Sequence, residues 1–421
     1  MADLRNNFAG IKSPNPFWLA SGPPTDKAYN VERAFEAGWG GVIWKTVGEQ
    51  VVNVSSRYGA NTYNGTRVAG FTNIELISDR AIEVNLREIK EVKQRWPDRA
   101  VVVSLMVPCE EAAWKSILRA VEDTGADGVE LNFGCPHGMS ERGMGAAVGQ
   151  VPEYVTMVTE WAKTFSSMPV IVKLTPNVND VLYPARAAVD GKTDAVSLIN
   201  TVASVIGVDL DTMSPLPEVA GKGSHGGYCG PAVKPIALRM IGDIAREFGP
   251  SLPISGIGGI STWRDAAEHI AMGAGNVQVC TAAMHQGFKI VEDMIDGLSN
   301  WMDSKGYQSL DDFRGHAIPN YVRWENLDLN YEIVARIDQD ACIKCGLCHI
   351  ACEDTAHQAI TSGTNGTRLY EVIDKECVGC NLCMLVCPVE NCITMEKVDN
   401  GRPYMPWTED PRNPANQEAA E

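Results

Sequence analysis

Eight short hydrophobic runs recur along the first part of the chain. Within each run the apolar residues follow one another continuously, without the alternation typical of a strand that has one face in water. Continuous apolar strands are typical of a parallel sheet that is covered on both faces. The eight runs, which we predict to be strands, are Phe17–Ser21, Gly41–Thr46, Val101–Met106, Gly128–Phe133, Val170–Leu174, Ala195–Thr201, Pro253–Gly259 and Asn276–Thr281.

Segments with helical periodicity lie between these runs. The alternation of strands and helices over residues 1–305 predicts an α/β fold, a (β/α)8 TIM barrel, with a doubly wound parallel sheet as the competing arrangement. The polar stretch Ser55–Phe71 interrupts the pattern and is predicted to form a hairpin outside the barrel. The predicted helices are Asn30–Ala37, Ile82–Trp96, Glu110–Thr124, Val155–Phe165, Pro235–Phe248, Thr262–Met272 and Phe288–Met302.

Three further segments follow the predicted barrel. Residues 306–334 lose the hydrophobic periodicity, and we interpret them as a linker. Residues 335–400 contain two copies of one cysteine motif and are predicted to form a ferredoxin-like domain. Residues 401–421 are rich in proline and polar residues, so we expect a polar tail that is extended or partly disordered.

The formal net charge of the 421-residue chain is −17. This charge argues against nucleic acid and against an anionic membrane surface, because both require a basic patch. The sequence shows neither a signal peptide nor an apolar stretch of membrane-spanning length, so we expect a cytoplasmic protein. In that compartment the thirteen cysteines are expected to be metal ligands or catalysts and not disulfides.

The cysteine motif C-x-x-C-x-x-C-x-x-x-C occurs twice near the C-terminus. This spacing is the bacterial two-cluster ferredoxin pattern, in which the fourth cysteine of each run binds the other cluster. The alternative is a pair of zinc sites, which three evenly spaced cysteines plus a fourth make less fitting. Glu353 stands where a proline often follows, and Cys392 is left over as a buried small hydrophobe. We therefore predict two [4Fe–4S] clusters, one held by Cys342, Cys345, Cys348 and Cys387 and the other by Cys377, Cys380, Cys383 and Cys352.

Polar residues stand at the carboxyl ends of the predicted strands, where a barrel carries its chemistry. Lys45 and Lys173 end otherwise apolar strands, which is costly unless the ammonium groups meet an anion or a polar ligand. Glycines and Cys280-Thr281 follow the last two strands, the usual place of a phosphate site in a barrel. No G-x-G-x-x-G motif opens a helix, so no Rossmann site for NAD is visible. A phosphate-bearing cofactor beside iron–sulfur clusters indicates a flavin, which exchanges electrons singly or in pairs.

Cys135 follows the fourth predicted strand, in the sequence ELNFGCPHGMSERGMG. The glycine-rich residues Gly138–Gly149 behind it are predicted to form a flexible lid that closes over a substrate and excludes water. His137 and Arg142 on this loop are expected either to tune the thiol or to anchor the loop.

This loop sequence, together with KLTPN at 173–177, INTV at 199–202 and SGIGGI at 255–260, resembles the dihydropyrimidine dehydrogenase family. That family lies within the wider dihydroorotate dehydrogenase-like flavin barrels, and the likeness is strongest to its bacterial NAD-dependent branch. The resemblance implies hydride transfer from FMN to uracil or thymine, with Cys135 as proton donor. It also implies two [4Fe–4S] clusters fed by an FAD- and NAD-binding partner subunit that oxidises NADH, in a heterotetramer.

The resemblance also implies roles for individual residues. Asn132, Asn200 and Thr201 would bind the pyrimidine. Glu110 would take the place of a further substrate-binding asparagine, which would change the hydrogen bonds available to the ring. FMN would be held by Ala20, Ser21, Lys45, Thr46, Lys173, Gly230, Gly258, Gly259, Cys280 and Thr281.

Two other functions fit parts of the sequence. A dihydroorotate dehydrogenase would need a local cation for the substrate carboxylate, and no extra basic residue accompanies the Asn200-Thr201 pair. A non-catalytic iron–sulfur electron-transfer subunit would keep the clusters and lose the barrel site, whereas Cys135, Lys173 and Asn200 are all present.

Overall fold

The computed structural model of the chain describes residues 2–63, 66–355, 357–363 and 367–417. The chain divides into two compact units, the first ending at Tyr321 and the second beginning at Val322. The division falls inside the segment predicted as a linker. Residues before it belong to the first unit, where Leu310 and Phe313 are buried in the main hydrophobic core.

The first unit is built on a closed barrel of eight parallel strands. Each strand pairs with the next one along the chain, and the eighth pairs with the first. The predicted TIM barrel is therefore confirmed, and the doubly wound sheet is excluded. The strands are β1 (Phe17–Leu19), β2 (Gly41–Val47), β3 (Ala100–Leu105), β4 (Gly128–Asn132), β5 (Val170–Lys173), β6 (Ala195–Leu198), β7 (Ile254–Ile257) and β8 (Ala274–Val279).

One main helix follows each barrel strand and packs its apolar face on the barrel. They are α1 (Ala28–Ala37), α2 (Ile82–Arg95), α3 (Glu111–Glu122), α4 (Pro152–Phe165), α5 (Leu182–Asp190), α6 (Lys234–Phe248), α7 (Trp263–Ala271) and α8 (Ile290–Lys305). In α3 the buried residues Trp114, Ile117, Leu118 and Val121 recur at the spacing of one helix face. Helix α5 was not among the predicted helices, since small alanines replace the large apolar residues on its buried side.

An N-terminal hairpin closes the amino end of the barrel. Its strands, Asn6–Phe8 and Ile11–Ser13, pair antiparallel. Phe8 and Ile11 are buried against residues inside the barrel, and the ring of Phe8 meets that of Trp18 edge-on at 5.9 Å. Because this end is filled by side chains, the carboxyl end is where the barrel can accept a ligand.

A four-stranded antiparallel sheet is built from the connections that leave the carboxyl ends of β2 and β6. The β2 connection contributes Tyr58–Tyr63 and Thr66–Asn73, which confirms the predicted hairpin. The β6 connection contributes Val202–Ser204 and Gly226–Cys229, which were not predicted. Between these two strands the chain forms small hairpins from strands of only two residues each.

The second unit is organised around the paired strands Ile333–Ile337 and Ile393–Lys397. Two short helices, Leu347–Glu353 and Leu382–Val386, carry cysteines, and a further hairpin pairs Ile360–Ser362 with Tyr370–Val372. Its small core consists of Ala335, Cys348, Ile360, Tyr370, Cys383, Cys392 and Ile393.

The described part of the predicted tail, residues 401–417, lies within the second unit; residues 418–421 lie outside the described residues. Its first residues have no regular structure, but they are hydrogen-bonded to an earlier segment of the chain. The amide of Leu329 donates to the carbonyl of Met405 at 2.9 Å, and the side chain of Asn330 donates to the carbonyl of Pro403 at 2.8 Å. Within the described chain, no helix combines the length and apolar character needed to cross a bilayer.

Candidate active site and cluster sites

A deep pocket opens at the carboxyl end of the barrel. It contains about 1160 Å³ of space free of protein atoms, part of it continuous with solvent. All the residues predicted for cofactor and substrate line it, with the exception of Glu110. They are Ala20, Ser21, Lys45, Thr46, Asn132, Cys135, Lys173, Asn200, Thr201, Gly230, Gly258, Gly259, Cys280 and Thr281.

Both lysines of the pocket are buried and paired with carboxylates. The ammonium of Lys45 lies 2.7 Å from Glu75 Oε1 and 4.0 Å from Asp26 Oδ1. The ammonium of Lys173 lies 3.4 Å from Oε1 of Glu130, a residue with no exposed surface. The cost of burying each ammonium is therefore offset by a neighbouring negative charge.

A polar layer beneath the pocket fixes Glu130. Its Oε2 accepts hydrogen bonds from Ser197 Oγ at 2.8 Å and from Gln278 Nε2 at 3.2 Å, and Gln278 also donates to Ser255 Oγ at 2.9 Å. Oε1 of Glu130 and Oε1 of Gln278 have no hydrogen-bond partner among the described residues. Gln278 itself lines the pocket, and its buried Oε1 could accept a hydrogen bond from a ligand.

Two asparagines are joined in a directed chain of hydrogen bonds. Asn200 Nδ2 donates to Asn132 Oδ1 at 3.0 Å, and Asn132 Nδ2 donates to Thr46 Oγ1 at 2.9 Å. The hydroxyl of Thr46 also lies 2.9 Å from that of Ser104. Asn132 Oδ1 also accepts from the amide of Gly134, and Asn200 Oδ1 accepts from the amide of Thr201. Because both ends of each side-chain amide are held by the protein, its orientation is fixed before a ligand arrives.

The loop after β4 brings Cys135 to the pocket. Ser140 Oγ and the amide of Ala146 both donate to the carbonyl of Cys135, at 2.7 and 3.0 Å. Met139 and Met144 on this loop are buried in a small hydrophobic cluster that includes Ile77 and Met106. The segment predicted as a flexible lid is thus packed against the barrel unit by its two methionines.

Burial raises the pKa of the Cys135 thiol to about 11. The thiol donates to the carbonyl of His137 at 3.4 Å. It is therefore protonated at neutral pH and can serve as an acid. Burial, followed by the nearby His225, lowers the pKa of His137, whose Nε2 lies 3.0 Å from the carbonyl of Glu75. A neutral His137 in this position anchors the loop, whereas Arg142 is exposed and lies outside the pocket lining.

The prediction that Glu110 faces the substrate is corrected by the structure. After β3 the chain turns outward, the amide of Glu110 bonding to the carbonyl of Pro108 at 2.7 Å. Glu110 is exposed immediately before α3 and does not line the pocket. The additional asparagine in the pocket is Asn73, at the end of the hairpin that follows β2.

Sequence reasoning also missed Glu75, Tyr58 and Tyr228, all of which line the pocket. They lie on or beside the antiparallel sheet that the β2 and β6 connections build. The position of the predicted hairpin after a barrel strand was the available signal, because such connections form the active face of this fold.

The pocket fits a flavin mononucleotide. At one side Gly258 and Gly259 have φ values of +125° and +74°, and a Cβ at Gly259 would lie 2.6 Å from that of Lys234. Glycine is thus required here, and it leaves the backbone open to a phosphate. The buried lysines, with the acceptor on Gln278, suit a polar ring at the pocket floor.

The cysteines of the second unit line two separate cavities. Cys342, Cys345, Cys348 and Cys387 line one, with Cys392 beside them. Cys352, Cys377, Cys380 and Cys383 line the other. Each cavity thus receives its fourth thiol from the other motif, the grouping expected for two cubane clusters. Backbone amides already donate to two of the sulfurs, Lys344 N to Cys342 at 3.4 Å and Ala359 N to Cys352 at 3.2 Å.

Comparison with known proteins agrees with both units. The family model for dihydroorotate dehydrogenase matches residues 3–302, and that for a 4Fe-4S dicluster domain matches residues 335–395. The chain is 42% identical over 400 residues to the NAD-dependent dihydropyrimidine dehydrogenase subunit PreA of Escherichia coli (strain K12). That alignment covers 94% of this chain and 96% of the relative.

The chain belongs to the dihydropyrimidine dehydrogenase family.

Two other relatives are similar to about three quarters of this dihydropyrimidine dehydrogenase family member. The chloroplastic dihydropyrimidine dehydrogenase (NADP(+)) of Arabidopsis thaliana is 41% identical over 337 residues, covering 77% of this chain and 79% of that protein. The catalytic subunit of dihydroorotate dehydrogenase B (NAD(+)) of Pyrococcus abyssi is 37% identical over 320 residues, covering 75% of this chain and 99% of that protein. The family resemblance inferred from the motifs is thus confirmed.

Proposed function

We propose that the chain reduces the C5–C6 double bond of uracil or thymine, giving the 5,6-dihydropyrimidine. The observation that carries this proposal is a protonated thiol, Cys135, in the same pocket as the pre-oriented amides of Asn132 and Asn200. A thiol can supply the proton, and the amides match the alternating N–H and C=O groups on the edge of a pyrimidine. Family membership supports the same reaction class.

Separate groups of residues would hold the cofactor, orient the substrate ring and supply the proton. Lys45, Lys173 and the glycine pair Gly258-Gly259 would hold FMN, which when bound supplies a hydride. Asn73, Asn132, Asn200 and Thr201 would orient the ring by its polar edge. Cys135 would then transfer its Sγ proton to C5, which leaves a thiolate that takes up a proton before the next turnover. Met139 and Met144 pack this loop against Ile77 and Met106, which holds Cys135 at the pocket.

We propose that electrons reach the barrel through two [4Fe–4S] clusters held by the two cysteine sets. An electron donor is required, because the clusters move electrons singly and cannot take a hydride from NADH. We propose a separate FAD- and NAD-binding subunit that oxidises NADH, in a heterotetramer with this chain. Support comes from the name of the bacterial relative, which describes an NAD-dependent enzyme subunit. The cytoplasmic location, expected because no signal peptide or membrane-spanning stretch was found in the sequence, stays a prediction.

The first prediction concerns Cys135. Cys135→Ala should bind flavin and iron as the parent chain does and should lower uracil reduction by roughly 10²- to 10⁴-fold, the contribution expected of a general acid. Reduction is measured with chemically reduced protein and uracil, so that the electron-donating partner is not needed.

Cys109→Ala is the matched control, because this thiol is partly buried and lies outside the pocket. It should reduce uracil at the parent rate. Full turnover by the Cys135 variant would remove Cys135 from the mechanism.

A further inference from the structure

We propose that Glu75 determines substrate class at this site, admitting neutral pyrimidines and excluding pyrimidines that carry a carboxylate. This inference rests on the proposed function. Its starting point is that relatives sharing this barrel differ by name in substrate, one being a dihydroorotate dehydrogenase. Dihydroorotate carries a carboxylate that uracil and thymine lack, so a feature of the pocket must treat that charge differently.

Glu75 is placed to control the charge of the pocket. Its side chain is 10% exposed and lines the pocket, and it meets Lys45 at 2.7 Å. Oε2 accepts a hydrogen bond from the hydroxyl of Tyr58 at 2.7 Å and lies 3.3 Å from Arg57. The backbone of Glu75 is fixed as well, since its amide donates to Asn73 Oδ1 at 3.2 Å. The carboxylate is therefore held at the pocket wall with little freedom to swing away.

A substrate carboxylate would need a cation in the pocket, and these contacts already pair Lys45 with other carboxylates. Lys45 lies between Glu75 and Asp26, so a third carboxylate would have to compete with two others. Lys173, the other lysine in the lining, is paired with Glu130. His137 also lines the pocket, but burial lowers its pKa, so its ring does not supply a positive charge. A carboxylated ring would thus lose its hydration and meet the negative charge of Glu75, while a neutral ring would not.

The test compares orotate and uracil on purified, FMN-containing full-length protein. Dissociation constants are measured from the change in flavin absorbance and, independently, from the rise in melting temperature with each ligand. Glu75→Gln should tighten orotate binding by roughly 10- to 100-fold, the size expected for one charge-assisted interaction, and change uracil binding much less. Glu75→Asp, which keeps the charge, should restore preference for uracil.

Two further variants keep the test decisive if Glu75→Gln folds poorly. Asp26→Asn removes the other carboxylate beside Lys45 from outside the pocket lining and should favour orotate in the same direction, by a smaller factor. Glu88→Gln, a carboxylate paired with Arg80 away from the pocket, should leave the orotate-to-uracil ratio unchanged.

Unchanged orotate affinity in Glu75→Gln and in Asp26→Asn would overturn the role of Glu75. Loss of uracil binding in Glu75→Gln, without a gain for orotate, would also overturn it, because the residue would then support the pocket instead of selecting the substrate. Both results concern the role of Glu75 and leave the proposed function of the parent protein unchanged. Failure of the parent to bind uracil would instead contradict the proposed function itself.

Discussion

At the scale of single residues, Glu130 shows how a buried charge can act on a site that it does not reach. It has no exposed surface and sits behind Lys173, with Ser197 and Gln278 holding its other oxygen. The lysine is thereby kept in one place with its charge partly offset. A ring bound above the lysine would experience the net field of the pair.

Neutralising Glu130 should therefore raise the reduction potential of the bound flavin. Glu130→Gln leaves the ammonium of Lys173 without its countercharge, and the added electrons are then better stabilised. A change of about 1.4 kcal/mol in that stabilisation corresponds to about 30 mV for a two-electron couple. Redox titration of the purified protein measures the shift.

Ser197→Ala is the control for Glu130→Gln, since it removes one hydrogen bond to Glu130 and keeps its charge. The potential of this variant should stay close to that of the parent. Equal potentials in the parent and in Glu130→Gln would show that Glu130 only fills space. Thermal unfolding should also be followed, because breaking a buried pair typically costs about 3–5 kcal/mol of stability.

The residue scale also shows where prediction from sequence failed. Lys45 and Lys173 were found because a charged residue ending an apolar strand has a strong reason to face a ligand, whereas Asn200 was found through the family resemblance. Glu110 was placed in the pocket as the counterpart of a substrate-binding asparagine of the family, but the chain turns outward there, with the amide of Glu110 donating to the carbonyl of Pro108. Asn73 and Glu75 were missed because their segment comes from a hairpin without barrel periodicity. Their partners are distant in sequence, so no local pattern indicates them.

At the scale of elements, the barrel strands were predicted well and their ends were not. The predicted runs included Ser21, Thr201 and Gly259, yet β1, β6 and β7 end before these residues. The residues that leave the strand ladder are the ones that line the pocket. The two-residue strands within residues 202–229 were not predicted, because so short a segment shows no hydrophobic periodicity.

The stability of the loop carrying Cys135 should depend on pH through His137. Because its pKa is lowered in the folded protein, His137 supports the packed loop fully above the ordinary histidine pKa of about 6.5. That support is lost as the pH falls through the lowered value. Protonation would place a hydrogen on Nδ1, which is buried and has no hydrogen-bond partner among the described residues. His225, Glu141 and Glu75 are the titratable neighbours.

Hydrogen exchange of residues 138–150, corrected for the intrinsic effect of pH, should reveal this loss of support. Protection should fall between pH 7 and pH 5 in the parent chain. His137→Gln should remove the pH dependence, because glutamine can donate to the carbonyl of Glu75 and does not titrate. Equal protection of the parent at both pH values would contradict a role for His137 in holding the loop.

At the scale of the whole molecule, the two units carry different kinds of redox chemistry. The barrel provides a pocket for a group that handles electron pairs, and the second unit provides two thiol-lined cavities for single-electron carriers. The motif spacing predicted how the cysteines would be shared, because three close thiols cannot enclose a cubane and the fourth must come from elsewhere. The spacing did not predict that Cys392 would join one of these cavities.

Cys387 and Cys392 can be distinguished by the iron that each variant retains. Both line the cavity of Cys342, Cys345 and Cys348, but only Cys387 belongs to the repeated motif. Cys392→Ala should keep the iron and acid-labile sulfide of both clusters. Cys387→Ala should lose one cluster, and its iron content should fall by about half.

Retention of both clusters by Cys387→Ala would indicate that Cys392 has replaced the missing ligand. The double variant, Cys387→Ala with Cys392→Ala, would then lose the cluster, and its electron paramagnetic resonance spectrum after reduction would show one interacting centre fewer. If Cys392→Ala alone lost a cluster, the ligand would be Cys392, and the cavity would take its fourth thiol from outside the repeated motif. The sharing of ligands between the two motifs, which the spacing predicts, would then hold for one cluster and fail for the other.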